Sequence, residues 1–128
     1  MEILFVIGRI LYGGFFIMNG LNHFRQYGML KGYAGSKGVP APGPAVMAAG
    51  LLILFGGLGV VLGIYIQWAV LALTLFLVPV SLKMHNFWSV SDPMMRMADT
   101  VNFSKNMALL GASLILLLIP EPWPYSAF

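Results

Sequence analysis

The sequence predicts an all-α membrane protein, a four-transmembrane-helix antiparallel bundle forming one domain, on three observations. Residues 38–82 contain no Asp, Glu, Lys or Arg. The 128 residues are 59% hydrophobic and 9% charged, against roughly 25% charged in an ordinary soluble domain. Of the seven Lys and Arg residues, only Arg9 lies deep in an apolar stretch, and the other six collect at stretch ends. A bilayer core about 30 Å thick takes roughly 20 apolar helical residues per crossing, so residues 38–82 have room for two crossings and a turn. In water, a chain of this composition, with mean hydropathy +0.87, would expose a large apolar patch.

The first span is predicted over residues 3–22, apolar except for Arg9 and Asn19. It lacks a small-x-small cleavage pattern and reads as a retained helix, not a cleaved signal peptide. Residues 25–44 collect Arg25, Lys31, Lys37, several glycines and Pro40, Pro42 and Pro44, and read as a loop. Pro44 suits the first helical position of the second span, residues 44–62, where a missing N–H costs nothing. The third span covers residues 67–83, and the short separation requires a tight antiparallel hairpin. Pro79 is expected to kink this span near its end. Residues 85–102 read as a polar connection with a turn at Asp92-Pro93. The fourth span, residues 103–119, allows Lys105 to snorkel and is ended by Pro120, Pro122 and Pro124.

With four crossings, both termini share one face. Arg25, Lys31, Lys37, Lys83, Arg96 and Lys105 fall on the other, so the positive-inside rule places both termini outside the cytoplasm. Tyr65, Trp68, Trp123 and Tyr125 would mark the outer interface, and Tyr27, Tyr33 and Trp88 the inner one. Because lipid does not drive helices together, close packing must use small residues. Gly56, Gly59 and Gly63 on the second span, and Gly8, Gly13, Gly14 and Gly20 on the first, can pack within the bundle or form a seam between copies.

Without cysteine, thiolate catalysis, disulfide exchange, iron–sulfur ligation and thiolate zinc sites are excluded within the chain. Redox chemistry would need a bound cofactor or a partner. The dispersed cations form no nucleic-acid patch, and anionic lipid headgroups are their expected neighbours.

Polar side chains gather at the predicted cytoplasmic ends of three spans. Asn19 and His23, four apart, share a helical face. His85 and Asn86, with Trp88 beside them, end the third span; Asp99, Asn102, Lys105 and Asn106 begin the fourth. Such groups are costly in a membrane and usually face the bundle interior. Three uses fit them: capping and anchoring of helix ends, with Asp99 and Asn102 as N-cap candidates; a pocket for a quinone or another lipid-like molecule; or a metal site, which no HxxxH or ExxH spacing supports. Arg9 must snorkel, pair or bond to carbonyls, with Glu2 and Glu121 as its obvious countercharges. It reads either as an anchor or as a binder of an anionic or carbonyl group. The methionines do not form paired MxxM or MxxxM sets across spans and read as packing rather than copper ligands.

Arg9, the run Gly13-Gly-Phe-Phe-Ile-Met-Asn-Gly-Leu-Asn-His23-Phe24, the run Gly32-Tyr-Ala-Gly-Ser-Lys-Gly-Val-Pro40, Lys83-Met-His-Asn-Phe-Trp88 and Asn102-Phe-Ser-Lys-Asn106 together resemble the DoxX family of small bacterial and archaeal membrane proteins. The resemblance implies a four-helix inner-membrane protein related to the membrane subunit of thiosulfate:quinone oxidoreductase, in a family linked to quinone-coupled redox reactions and oxidative-stress complexes. It implies no separate catalytic residue set. The matching polar positions are Arg9, Asn19, His23, His85, Asn102, Lys105 and Asn106.

The resulting expectation is a quinone- or lipid-binding accessory of a membrane redox system in a prokaryotic plasma membrane. It has no covalent cofactor, and any enzymatic role is at most that of a subunit of a quinone-linked oxidoreductase. Ligand-binding candidates are Arg9, Asn19, His23, His85, Asn86, Trp88, Asp99, Asn102, Lys105 and Asn106. The alternative is a non-enzymatic scaffold or chaperone whose glycine-rich helices dock a partner subunit. Four short-looped spans without inverted repeats argue against a monomeric transporter.

Overall fold

The computed structural model describes residues 1–127 and contains five α-helices and one 3-10 turn. Helix α1 is Glu2–Arg25, α2 Tyr27–Ser36, α3 Pro42–Leu62, α4 Ile66–Met84 and α5 Pro93–Leu116, with the turn Phe87–Ser89 between α4 and α5. Among the described residues, three segments are long and apolar enough to cross a membrane: Glu2–Arg25, Pro42–Leu62 and Ile66–Ser89. At 1.5 Å per residue the 24 residues of α1 extend about 36 Å. Helix α5 is equally long, but its first thirteen residues carry Arg96, Asp99 and Lys105.

Two elements correct the four-helix expectation. The segment read as a loop contains α2, despite Gly28, Gly32 and Gly35, each of which costs about 1 kcal/mol relative to Ala in a helix. A ten-residue helix is marginal alone. Tertiary contact holds it, since Ala34 is buried and Lys37 just beyond it reaches Asp99, while the Ala34 carbonyl receives the N–H groups of Lys37 and Val39 locally, both at 3.1 Å. Helix α3 then starts at Pro42, not Pro44, with Pro in the first turn and Ala41 in a left-handed conformation before it. The polar connection is the first half of α5. Asp92 is its N-cap and accepts the Met95 N–H at 2.9 Å, while Pro93 opens the helix. Asp99 and Asn102 therefore lie inside the helix and do not cap it.

Helices α3 and α4 form the expected hairpin. Gly63 closes α3 at φ +72°, and its N–H donates to the Gly59 carbonyl at 2.9 Å, a left-handed glycine cap. Helix α4 continues through Pro79 to Met84. The α1–α3 seam is a backbone approach. A Cβ on Gly13 would stand 2.6 Å from the Gly57 carbonyl oxygen, and one on Gly57 would stand 2.6 Å from that of Gly13. On the other side of α3, a Cβ on Gly56 would meet Leu73 at 2.7 Å and one on Gly59 would meet Ala69 at 2.7 Å. These glycines replace the missing hydrophobic drive with van der Waals contact inside the bundle.

Phe16, Ile53, Val60, Ile66, Val70, Leu73, Leu77 and Trp123 form one core cluster. Around it Leu11, Met18, Phe55, Trp68, Leu75 and Leu118 point outward and are at least half exposed, the arrangement a lipid-facing surface requires. Helix α5 runs antiparallel to α1: the Tyr12 hydroxyl donates to the Leu109 carbonyl at 2.6 Å and meets the Ser113 hydroxyl. Trp123 is not part of an outer aromatic belt. It is 2% exposed and packs edge-on against Phe5, ring centroids 5.0 Å apart.

Candidate functional site

A cavity of about 260 Å³ opens where α1 and α4 end, α3 and α5 begin, and α2 lies alongside. Its apolar walls include Phe15, Phe16, Val46, Phe76, Leu77 and Val80; its polar wall groups are Asn19, His23, His85, Lys105, Asn106 and Tyr33. The volume is slightly below the range of about 300–1,000 Å³ usual for small-molecule pockets. It suits one ring system with an apolar body and polar substituents.

The position of His23 depends on a glycine. A Cβ on Gly50 of α3 would stand 2.9 Å from the His23 Cβ and 3.1 Å from the Phe24 ring, so only glycine lets α1 sit this close. The imidazole packs edge-on to Phe76 at 5.9 Å, and its Nδ1 lies 2.7 Å from the Asn19 carbonyl oxygen. A carbonyl oxygen only accepts, so Nδ1 carries the proton and Nε2 of the neutral ring is a free acceptor. The Asn19 amide donates to the Phe15 carbonyl at 2.8 Å, leaving its own oxygen available.

His85 is oriented by a different device. Its Nδ1 donates to Asp99 Oδ1 at 3.1 Å, and Lys37 Nζ donates to Asp99 Oδ2 at 2.7 Å. The Asp99 side chain is 6% exposed, Lys37 14% and His85 16%. Burial alone would push the Asp99 carboxyl up, but hydrogen bonds and charge from Lys37 and His85 outweigh it and hold the group below the ordinary carboxylate range. Asp99 thus ties the α2–α3 connection, the end of α4 and the beginning of α5 to one carboxylate.

Asn106 is 5% exposed, lines the cavity, and has no hydrogen-bond partner among the described residues. No fully buried side-chain nitrogen or oxygen among the described residues lacks a partner, so the Asn106 amide atoms are open to the cavity space and not sealed in the core. Lys105 lies 5.5 Å from the Phe15 ring centroid with its stem along the cavity edge.

Of the ten residues predicted from sequence, Asn19, His23, His85, Lys105 and Asn106 form cavity wall, and Asp99 stands behind His85. Asn86, Trp88 and Asn102 do not form wall. The chain leaves helical geometry at His85, and Trp88 stacks edge-on with Phe87 and Phe103 instead, 51% exposed. Arg9 lies at the opposite end of the bundle. It is 3% exposed and donates to the carbonyls of Val60 at 3.3 Å, Val61 at 2.9 Å, Tyr125 at 3.3 Å and Pro124. Its guanidinium also faces the rings of Phe5 and Trp123 at 5.5 and 5.6 Å. These partners are carbonyls and rings, not the expected Glu2 and Glu121, and the Ala127 N–H completes the clasp on the Leu62 carbonyl at 2.9 Å.

Sequence reasoning missed Lys37, Tyr33 and the aromatic walls as site residues. Lys37 lies within the Gly32–Pro40 motif, which was the one available signal, but its partner is 62 residues away. The DoxX family model matches residues 4–86, a stretch that includes the cavity-wall residues Asn19, His23, Tyr33 and His85. The chain belongs to the DoxX family. Comparison with curated proteins and with solved structures gives no match. The DoxX match covers α1 to α4 and reaches His85 and Asn86; Asp99, Lys105 and Asn106 are contributed by α5, beyond it.

Proposed function

We propose that this DoxX protein holds a quinone or similar lipid-soluble ring in the cavity, as an accessory of a membrane redox system. The observation that carries this reading is Asn106: an amide with no hydrogen-bond partner among the described residues, open to a cavity whose other polar groups include two imidazoles. Ring carbonyls or hydroxyls would satisfy these groups, and the phenylalanines would cover the ring faces. The chain has no cysteine, so electrons would pass through a partner carrying a metal or flavin.

In this reading four helices cross a prokaryotic plasma membrane, α5 being the fourth. Lys31, Lys37, Lys83 and Arg96 lie toward the cavity end, which the positive-inside rule assigns to the cytoplasm, with both termini outside. The ligand therefore sits near the inner leaflet. Purified protein in nanodiscs should retain quinone or bind a short-chain ubiquinone analogue, and Asn106→Leu, which removes the amide that can donate to a ring carbonyl, should weaken that binding at least tenfold. A stoichiometric protein partner co-purifying with an empty cavity would favour the scaffold reading instead.

A further inference from the structure

We infer that the cavity prefers a ring bearing hydrogen-bond-donating hydroxyls, a hydroquinone, over the same ring in its carbonyl form. The inference rests on the quinone-site reading and sharpens it to one redox form of the ligand. Both imidazoles use Nδ1–H within the protein, His23 on the Asn19 carbonyl at 2.7 Å and His85 on the Asp99 carboxylate at 3.1 Å. A neutral imidazole has one N–H, so each ring turns a bare Nε2 to its remaining surroundings. Neither Nε2 has a partner among the described residues, and both rings line the same cavity.

A hydroxyl donates to such a nitrogen. A carbonyl oxygen sets lone pair against lone pair and forms no bond with it. The other polar wall groups do not offset this difference. The Asn106 amide donates and accepts, and Lys105 donates; hydroxyl and carbonyl oxygens both accept from them. The Tyr33 hydroxyl suits either form, and the Asn19 amide oxygen, which only accepts, sides with the imidazoles, so the choice between the two forms falls to His23 and His85 with Asn19 beside them. Asp99 is a positioning residue here: it holds His85 Nδ1–H and so fixes which nitrogen the ligand meets.

The test is anaerobic binding of a short-chain ubiquinol analogue and of its oxidised form to the protein in nanodiscs, at about pH 8. The reduced form should bind roughly tenfold more tightly, the effect of one to two hydrogen bonds. His23→Phe, which keeps an aromatic ring against Phe76 and leaves the Asp99 cluster untouched, should cut the preference to about threefold. His85→Ala should do the same, with helical content and thermal unfolding recorded to show that the bundle is intact. Equal affinities, or tighter binding of the oxidised form, would overturn the inference while leaving the quinone site standing. Binding of neither form would overturn the site itself, and an undiminished preference in His23→Phe would remove His23 from the account.

Discussion

The two ends of the bundle bury polar side chains in opposite ways. At one end the Arg9 guanidinium uses all three nitrogens on carbonyl oxygens and lies against two aromatic rings. At the other, the cavity leaves an amide and two ring nitrogens without a partner among the described residues. Both ends stand out in the sequence for the same reason, since polar groups in apolar stretches are expensive. What separates them is satisfaction. A buried group whose hydrogen bonds are complete holds the fold together, whereas one left open to a cavity adds little to the fold and is available to whatever enters.

The contrast can be broken most severely at Arg9. Arg9→Met removes four charge-assisted hydrogen bonds and releases the segment around Trp123 from the ends of α1 and α3. We expect a loss of about 3 kcal/mol, one to two such bonds in net value, read as unfolding in mixed micelles. Ligand affinity should stay within twofold of wild type, because the clasp is at the far end from the cavity. A normal unfolding midpoint, or a tenfold loss of affinity, would mean that Arg9 is not the closed counterpart of the cavity.

A smaller effect is expected at Asp99, which belongs to both categories: it is fully paired, yet what it orients lines the cavity. Asp99→Asn should cost about 1–3 kcal/mol, because it leaves Lys37 and His85 without their counterion. The wild-type contribution has a definite pH dependence. The folded carboxyl lies below its unfolded value of about 3.9, so the stabilisation is complete above that value and is lost as pH falls through the lower, folded one. Urea or thermal unfolding should show wild type and Asp99→Asn separated by a constant margin down to about pH 4, then converging as acid is added between about pH 4 and 2. Parallel curves across that interval would remove Asp99 as the tie between α2, α4 and α5.

The legibility of the molecule follows the same division. Helices α1, α3 and α4 were readable because an apolar run of membrane length has few alternatives. Helix α2 was not, since its glycines and the prolines after it argue locally for a loop, and what overrides them is tertiary: the burial of Ala34 and the reach of Lys37 to Asp99. The start of α5 was hidden for a related reason. Arg96, Asp99 and Asn102 are polar because they lie at the end of the bundle, and in a sequence that is hard to tell from a connection. Within the site, Asn19 and His23 were legible through helical spacing. Asn86 and Trp88 were included through adjacency to His85, but the backbone turns there and takes them elsewhere. Whether a polar group is satisfied depends on contacts such as Lys37–Asp99, and a single sequence does not contain them.

The smallest expected change in stability gives the most direct test, at Asn106. Asn106→Leu keeps the side-chain volume and removes the amide that has no partner among the described residues. The bundle should be as stable as wild type to within about 1 kcal/mol, while affinity for the short-chain quinol in nanodiscs should fall at least tenfold. A destabilised protein that binds the ligand normally would contradict the account, because the amide would then be holding the fold and the cavity would not be a site.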